Sequence, residues 1–414
     1  MNITKGDVQE LRRRLKKTEC TFGRLCGCYV NSGKQIVTKF TEQFSELEED
    51  EYYKYLEIAK KTFSGTLGAN LLELEFDRSD SGIEHQKYLL TLKDSKLANE
   101  ELLDRLYEQV IEEYSYPGNY LIVVCHDVYD VPSKATSGED QDESTELYAY
   151  CVCAVCPVEL AKPALGYRED ENRIGARERD WVVGLPDLGF VYPAFANRGS
   201  DVNAVMYYVK TGRPSHPEFI ENVLGCVAQR TAAEDKLAFK NVVHDAFGED
   251  EEQADAAFFQ MQKTISAMVA EREEDESLPP VELTAEAVSG LATEAEVPDS
   301  VRAQIEKSYE QVFGDQPPQA HNVLDSRLVE EGTVKAHTAA LEQKVAVLQQ
   351  ELAHQAANAA DADDVPWETG TVIDVRMPQE RAVNVHTEVM EGQKCLVIPL
   401  TGDESARING VEVE

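Results

Sequence analysis

Basic residues are what this chain lacks most. Lys and Arg number 40 against 77 Asp and Glu, a formal net charge of −37, so the mean surface field repels phosphate backbones and anionic membrane faces. Generic nucleic-acid binding is disfavoured. The shortage is uneven, since residues 1–40 hold nine basic groups and three acidic ones, a balance of +6 that leaves −43 on the remainder. Long apolar runs are missing too. No window approaches the roughly 18 consecutive apolar residues that span a bilayer. The start, MNITKGDVQELRRRLKK, has no apolar stretch of the kind a secretion signal needs. A cytoplasmic protein without membrane contact is expected. Nine cysteines is an odd number, and Cys125, Cys151, Cys153 and Cys156 sit inside apolar runs, as reduced thiols do when they act as small core residues. Disulfides are not expected.

Motifs that would dictate one chemistry are absent as well. SGTLGAN offers two glycines but no Lys with Ser or Thr, and it follows a helix and precedes a strand, the reverse of what aims a helix N-terminus at phosphate. The pair in CAVC lies in an apolar β run, whereas a zinc knuckle needs its pair on a tight turn. No metal site and no cofactor is expected.

What is present is architecture. With 414 residues, 42% of them hydrophobic, the chain is long enough for roughly two to four domains with real cores. CTFGRLCGCYVNSGKQIVTKF reads as a hairpin turning at Asn31–Lys34. Ser45 and Glu48 form a capping-box pattern ahead of a helical stripe Tyr52, Leu56, Ala59, Phe63. NLLELEF alternates like a strand with one wet face. Leu103, Leu106, Val110 and Tyr114 then mark a helix that Pro117-Gly118 breaks. Strands follow at 120–125, 147–156, 180–185, 189–195 and 203–210. The second is apolar on both faces and therefore central, and the polar loop 133–144 is expected to be mobile. Their short connections predict an antiparallel arrangement. From Pro214 the pattern is helical, with a capping box at Thr231 and Glu234, a stripe Phe258, Met261, Ile265, Met268, and a helical hairpin in which Pro298 opens the second helix and Gly314 ends it. Leu341, Val345, Leu348 and Leu352 keep a short heptad seam in an Ala/Gln-rich spacer. The end alternates like strands, with turns at Glu391-Gly392 and Asn409-Gly410. The expected fold is α+β. An α+β domain with a mixed or largely antiparallel sheet and flanking helices covers 1–213, a helical module 214–328, a helical spacer 329–365 and a small β module 366–414.

RLCGCYVN, SGTLGANLLELEF, GNYLIVVCHDVYDVP, CPVELAKPALGY, DWVVGLPDLGFVYPAFANR, CVAQRTAAEDKLAF and INGVEV together resemble an uncharacterised bacterial family of the domain-of-unknown-function type, over most of the chain. The resemblance implies no reaction, cofactor or catalytic residue.

Candidate sites come from the residues alone. In YLIVVCHDVYDVP an extended strand sends His126, Val128 and Asp130 one way and Asp127 and Tyr129 the other, so His126 with Asp127 or Asp130 is the candidate for acid–base work. The bland alternative is a strand leaving its core and capping a turn. RDWVVGLPDLGFVYPAF sets Trp181, Phe190, Tyr192 and Phe195 beside Asp187 and Arg198, residue types that line binding grooves and pack hairpins alike. The run Arg12, Arg13, Arg14, Lys16, Lys17 is the candidate for phosphate contact, or a solvated face. These point first to a non-catalytic binding or regulatory protein with a protein partner, then to a hydrolase-like enzyme, then to an acidic protein that occupies a basic partner in place of nucleic acid. Nucleic acid is expected nowhere but at the basic N-terminus, and the oligomeric state is left open.

Overall fold

A computed structural model describes residues 3–16, 18–134, 140–273, 280–314, 316–360, 385–390, 393–399, 406–408 and 411–413. They fall into two compact units, Met1–His337 and Thr338–Glu414. The first opens with α1 (Lys5–Arg14), where Thr4 and Asp7 close a capping box and Val8 and Leu11 are buried. β1 (Arg24–Val30) and β2 (Ile36–Gln43) form the expected hairpin. Its turn is held by Asn31 Oδ1, which accepts Gly33 N at 2.9 Å and Gln35 N at 3.0 Å. α2 (Glu49–Lys61) starts later than the Ser45 pattern suggests, and Glu48, its N-cap, makes no side-chain bond. The reason is Phe44. It buries its ring against Phe22 and Tyr52, and the single 3-10 turn Phe44–Glu46 that this requires uses up Ser45.

β3 (Leu71–Glu75) is followed by α3 (Asp80–Asp94), capped by Ser79, and α4 (Glu100–Glu113), capped by Asn99. Then come the long strands β4 (Asn119–Lys134) and β5 (Asp140–Leu160). The expected loop 133–144 is shorter than the sequence indicates, because the ladder continues to Lys134↔Asp140. Residues 135–139 lie outside the described residues. β6 (Leu165–Arg168), β7 (Arg173–Ala176), β8 (Trp181–Val183), β9 (Leu188–Tyr192), β10 (Ala194–Ala196), β11 (Gly199–Asp201) and β12 (Ala204–Val209) complete the strands of this unit.

The main sheet runs β2-β1-β4-β5-β9-β12-β3, with β8 pairing β5 as well. Every pairing in it is antiparallel, so the fold is α+β. Side-chain alternation divides its strands between two cores. Ile122, Val124, Cys151 and Cys153 pack under Leu89 of α3 and Leu106 of α4. Leu121, Val123, Cys125 and Val152 pack under Leu11 of α1 and Leu56 of α2. β5 is apolar on both faces because both are covered.

Helices α5 (Pro217–Asn222), α6 (Ala232–Phe247), α7 (Glu251–Glu273), α8 (Ala285–Glu294), α9 (Asp299–Phe313), α10 (Ala320–Val323) and α11 (Ser326–Ala360) follow. The capping box at Thr231 and Glu234 is formed. Phe239, Phe258, Met261, Ile265, Ile305 and Tyr309 make a third core. Arg230, just before α6, donates to Val312 O of α9 at 3.1 Å, and Asn322 of α10 donates to Gly68 O, in the turn before β3, at 2.9 Å. In the second unit β13 (His386–Met390) pairs β14 (Gln393–Val397), and β15 (Ala406–Ile408) pairs β16 (Val411–Val413). The turns expected at 391–392 and 409–410 lie outside the described residues.

All nine cysteines are unpaired, and only Cys20 and Cys395 are not buried. Burial pushes the Cys20 thiol up to about 11. A thiol reagent near pH 8 should therefore label Cys395 promptly and the other eight only after denaturation, because reaction needs an accessible thiolate. Prompt labelling of several thiols in the native protein, counted by mass, would show that the strand core is open.

Candidate functional site

His126, Asp127 and Asp130 lie on β4, and the structure sends them to different places. Asp127 turns toward α1 and loses all contact with water. Its Oδ2 accepts Arg14 Nη1 at 2.9 Å and Tyr150 OH at 2.6 Å. Its Oδ1 accepts Thr21 Oγ1 at 2.5 Å and Val128 N at 2.8 Å. Four donors fill the four lone-pair positions of a carboxylate, which leaves none to take a proton from a substrate. The guanidinium of Arg14 also lies 4.2 Å from the Tyr129 ring centroid. Tyr129 OH donates to Glu10 at 2.8 Å, and Glu10 pairs with Arg198 at 2.9 Å. Arg198 reaches on to Pro132 O at 2.8 Å. The arrangement is a clasp that ties α1 to the sheet.

His126 is buried on the opposite face. Among the described residues no carboxylate lies within ion-pair distance of its ring. Burial lowers its pKa, Lys96 and Lys93 push the same way, and Asp127 and Asp94 oppose them. Asp130 is exposed. The three residues do not come together as an acid–base set.

The basic run is split in the same manner. Arg14 is consumed by Asp127, Arg12, Arg13 and Lys16 are exposed, and Lys16 pairs with Glu19 at 3.4 Å. Lys17 lies outside the described residues.

Of the aromatic group, Phe190, Tyr192 and Phe195 are buried. Phe190 and Tyr192 belong to the α3/α4 core, and Phe195 packs against Tyr148 with centroids 4.8 Å apart. They face no open surface, because Phe190 and Tyr192 pack under α3 and α4 and Phe195, on β10, lies in the core under α1 and α2. Asp187 is buried at the end of β9, where Lys210 and Arg213 pair with it at 3.2 and 3.3 Å and Tyr114 OH lies 3.4 Å away. Only Trp181 is left at the surface, 57% exposed.

Trp181 belongs to a feature that the sequence reading missed. The β5–β8 pairing, Leu160↔Trp181, continues through Ala161 N to Asp180 O and Arg177 N to Ala164 O, each 2.8 Å. It then runs into the pairs Leu165↔Ala176 and Tyr167↔Ile174 of β6 and β7. One antiparallel ribbon thus extends the β5 ladder beyond β9. Cross-strand partners share a face, so Leu165, Tyr167 and Ile174 form one apolar stripe, and they are 76%, 59% and 63% exposed. Val182, Val183 and Leu185 are exposed as well. The only sequence signal was the short alternation Leu165-Gly166-Tyr167. Residues 161–185 carry five basic and five acidic groups and so no net charge. Elsewhere, between the sheet and the helices, two cavities of about 470 and 260 Å³ share Gln229, Arg230 and Gln316 in their walls. Among the described residues no three His, Cys, Asp or Glu side chains are grouped to hold a metal ion.

Residues 1–411 match the family described as a domain of unknown function, DUF4317. The chain belongs to this family. No curated protein and no solved structure matches it, so the geometry of this DUF4317 chain has to speak for itself.

Two expectations follow. Arg14→Leu should cost about 3 kcal/mol, because it strands Asp127 without its cation in the core, whereas Asp130→Ala should stay within about 0.5 kcal/mol. Denaturant melts would decide, and a harmless Arg14→Leu would refute the clasp. The second expectation concerns pH. The folded pKa of His126 lies below its ordinary 6.5, and burial does the same to His216. Protonation therefore favours the unfolded chain. Their contribution is complete above the unfolded value and is lost as pH falls through the folded one. Between about pH 7 and 5.5 the wild type should lose more stability than His126→Gln, and parallel melting curves would contradict this.

Proposed function

We propose that the chain is a non-catalytic binding protein whose contact surface for a partner protein is the ribbon around Tyr167, Ile174 and Trp181. The carrying observation is the apolar stripe of Leu165, Tyr167 and Ile174 on that ribbon, which is largely exposed and belongs to none of the three cores. Covering side chains of this size gains roughly 1.5–3 kcal/mol each, and Tyr and Trp are the residues that anchor interfaces. β8 adds a second argument, since its one strand partner among the described residues is β5 and its outer edge is available to an added strand. The charge selects the partner's character. Within a chain of −37 the ribbon is neutral, so a neutral or basic protein approaches it with the field and an acidic one against it.

The hydrolase-like alternative draws no support from Asp127, whose oxygens are saturated, or from His126 and Asp130, one buried and the other exposed, which are not brought together. Phosphate contact through the N-terminus is weakened by the loss of Arg14 to the clasp. A cytoplasmic setting suits nine unpaired thiols.

The test compares wild type with Tyr167→Glu/Trp181→Glu in affinity capture from native extract, with the captured partner quantified and both proteins melted. Melting should agree within about 2 °C, while partner recovery falls at least about tenfold. Equal recovery by the double variant would remove the ribbon from the function.

A further inference from the structure

The long helix α11 carries a second surface, independent of the ribbon. Its N-terminal end is tied down: Lys236 pairs with Asp325 at 2.9 Å, Asp325 N donates to Gln262 Oε1 at 2.6 Å, and Leu328 packs on the helical core. Gly332 is needed there, since a Cβ at this position would stand 2.1 Å from the Phe259 ring. Further along, residues 341–350 are all exposed, Leu341, Val345 and Leu348 among them. Spacings of four and three place those side chains on one stripe of a helix. Written as heptads, Val334, Leu341 and Leu348 take d positions, and Thr338 and Val345 take a positions.

We propose that this stripe pairs with the same stripe of a second copy of the chain, as a parallel, in-register, two-stranded coiled coil. Three observations select that occupant. A β-branched residue at a with Leu at d, as at Val345 between Leu341 and Leu348, is the combination that favours two parallel strands. The flanking charges agree with it. In a parallel pair each g residue faces the e residue five places on in the other copy, which from Val334 onward sets His337 against Glu342 and Lys344 against Gln349, with no like-charge pair. The third is net charge. From Val334 to Ala360 there are two Lys and two Glu, so along this stretch of the helix two chains of −37 can meet without added local repulsion.

Sedimentation velocity of the full chain at rising concentration tests the pairing. A reversible monomer–dimer equilibrium should be evident by about 100 µM, and Leu341→Glu/Leu348→Glu should be monomeric at the same concentration with an unchanged melting temperature. Mild oxidation should cross-link Val345→Cys between copies, because identical a positions face each other in register, and should leave Gln343→Cys, on the outer side of the helix, no more cross-linked than wild type. A wild type that stays monomeric to that concentration, or a dimer that survives the double glutamate variant, overturns the proposal. So does a dimer of the Val345→Cys variant that fails to cross-link, since the strands would then not be parallel and in register.

Discussion

A carboxylate sealed inside a sheet has to be surrounded by donors, and the first part of this chain is arranged around Asp127. Losing hydration costs a carboxylate several kcal/mol, and a partner cation with a full set of hydrogen bonds is what offsets it. Besides the neighbouring Val128 N, the donors come from three places: Arg14 from α1, Thr21 from the segment after it, and Tyr150 from β5. Each fixes a different degree of freedom. Arg14 sets the rotation of α1, so that Leu11 goes to the core. Tyr150 sets the register of β4 on β5, since it is the direct cross-strand partner of Asp127. A slip of one residue would turn Asp127 to the α3 face and bring His126 to the arginine. Asp7 extends the hold by accepting the backbone N–H groups of Asn197 and Arg198 at 3.3 and 3.0 Å, which ties the β10–β11 turn to the same helix.

With both faces of the sheet covered, its margins are where other molecules can be met, and they are treated differently. β2, at one edge, is exposed along most of its length. It is guarded by charge, with Lys39 paired to Asp104 at 2.6 Å and Glu42 nearby in the strand. Charged edges discourage the addition of another strand. The ribbon of β6, β7 and β8 has the opposite character, because it exposes Leu165, Tyr167 and Ile174 as one stripe and Trp181 apart from them, and its charges cancel. This contrast between the edge strand and the ribbon supports reading the ribbon as a surface kept open for a partner.

How much of this was legible in the sequence depended on whether the pattern was local. The β1–β2 hairpin, the strand at β3, the helix at α4, the two-faced apolar run of β5 and the capping box at Thr231 all announce themselves within a dozen residues. α1 did not. Its apolar positions Val8, Leu11 and Leu15 are broken up by three arginines, and one of these points inward, which a polar/apolar pattern cannot show. Alternation correctly separated His126 from Asp127, but the partner of Asp127 lies 113 positions away and no spacing rule reaches it. The burial of the aromatics of β9 and β10 was not legible for a different reason: buried packing and groove lining use the same residue types, and only the neighbours of a strand decide between them. Trp181, from the same stretch of sequence, sits beyond the end of β9's pairing and so stays at the surface.

The two surfaces have a consequence when taken together. A ribbon stripe of three or four side chains makes a small contact, and interfaces of that size are weak and transient. A parallel coil made by α11 would place two ribbons in one particle, because each copy brings its own. A partner offering two sites would then bind its second ribbon intramolecularly, at an effective concentration that can reach the millimolar range, and avidity would exceed the single-site affinity by about 10²–10⁴ without any new contact. A partner offering one site would gain nothing. Pairing through α11 would therefore act as a filter on valence, while the ribbon filters on shape and charge.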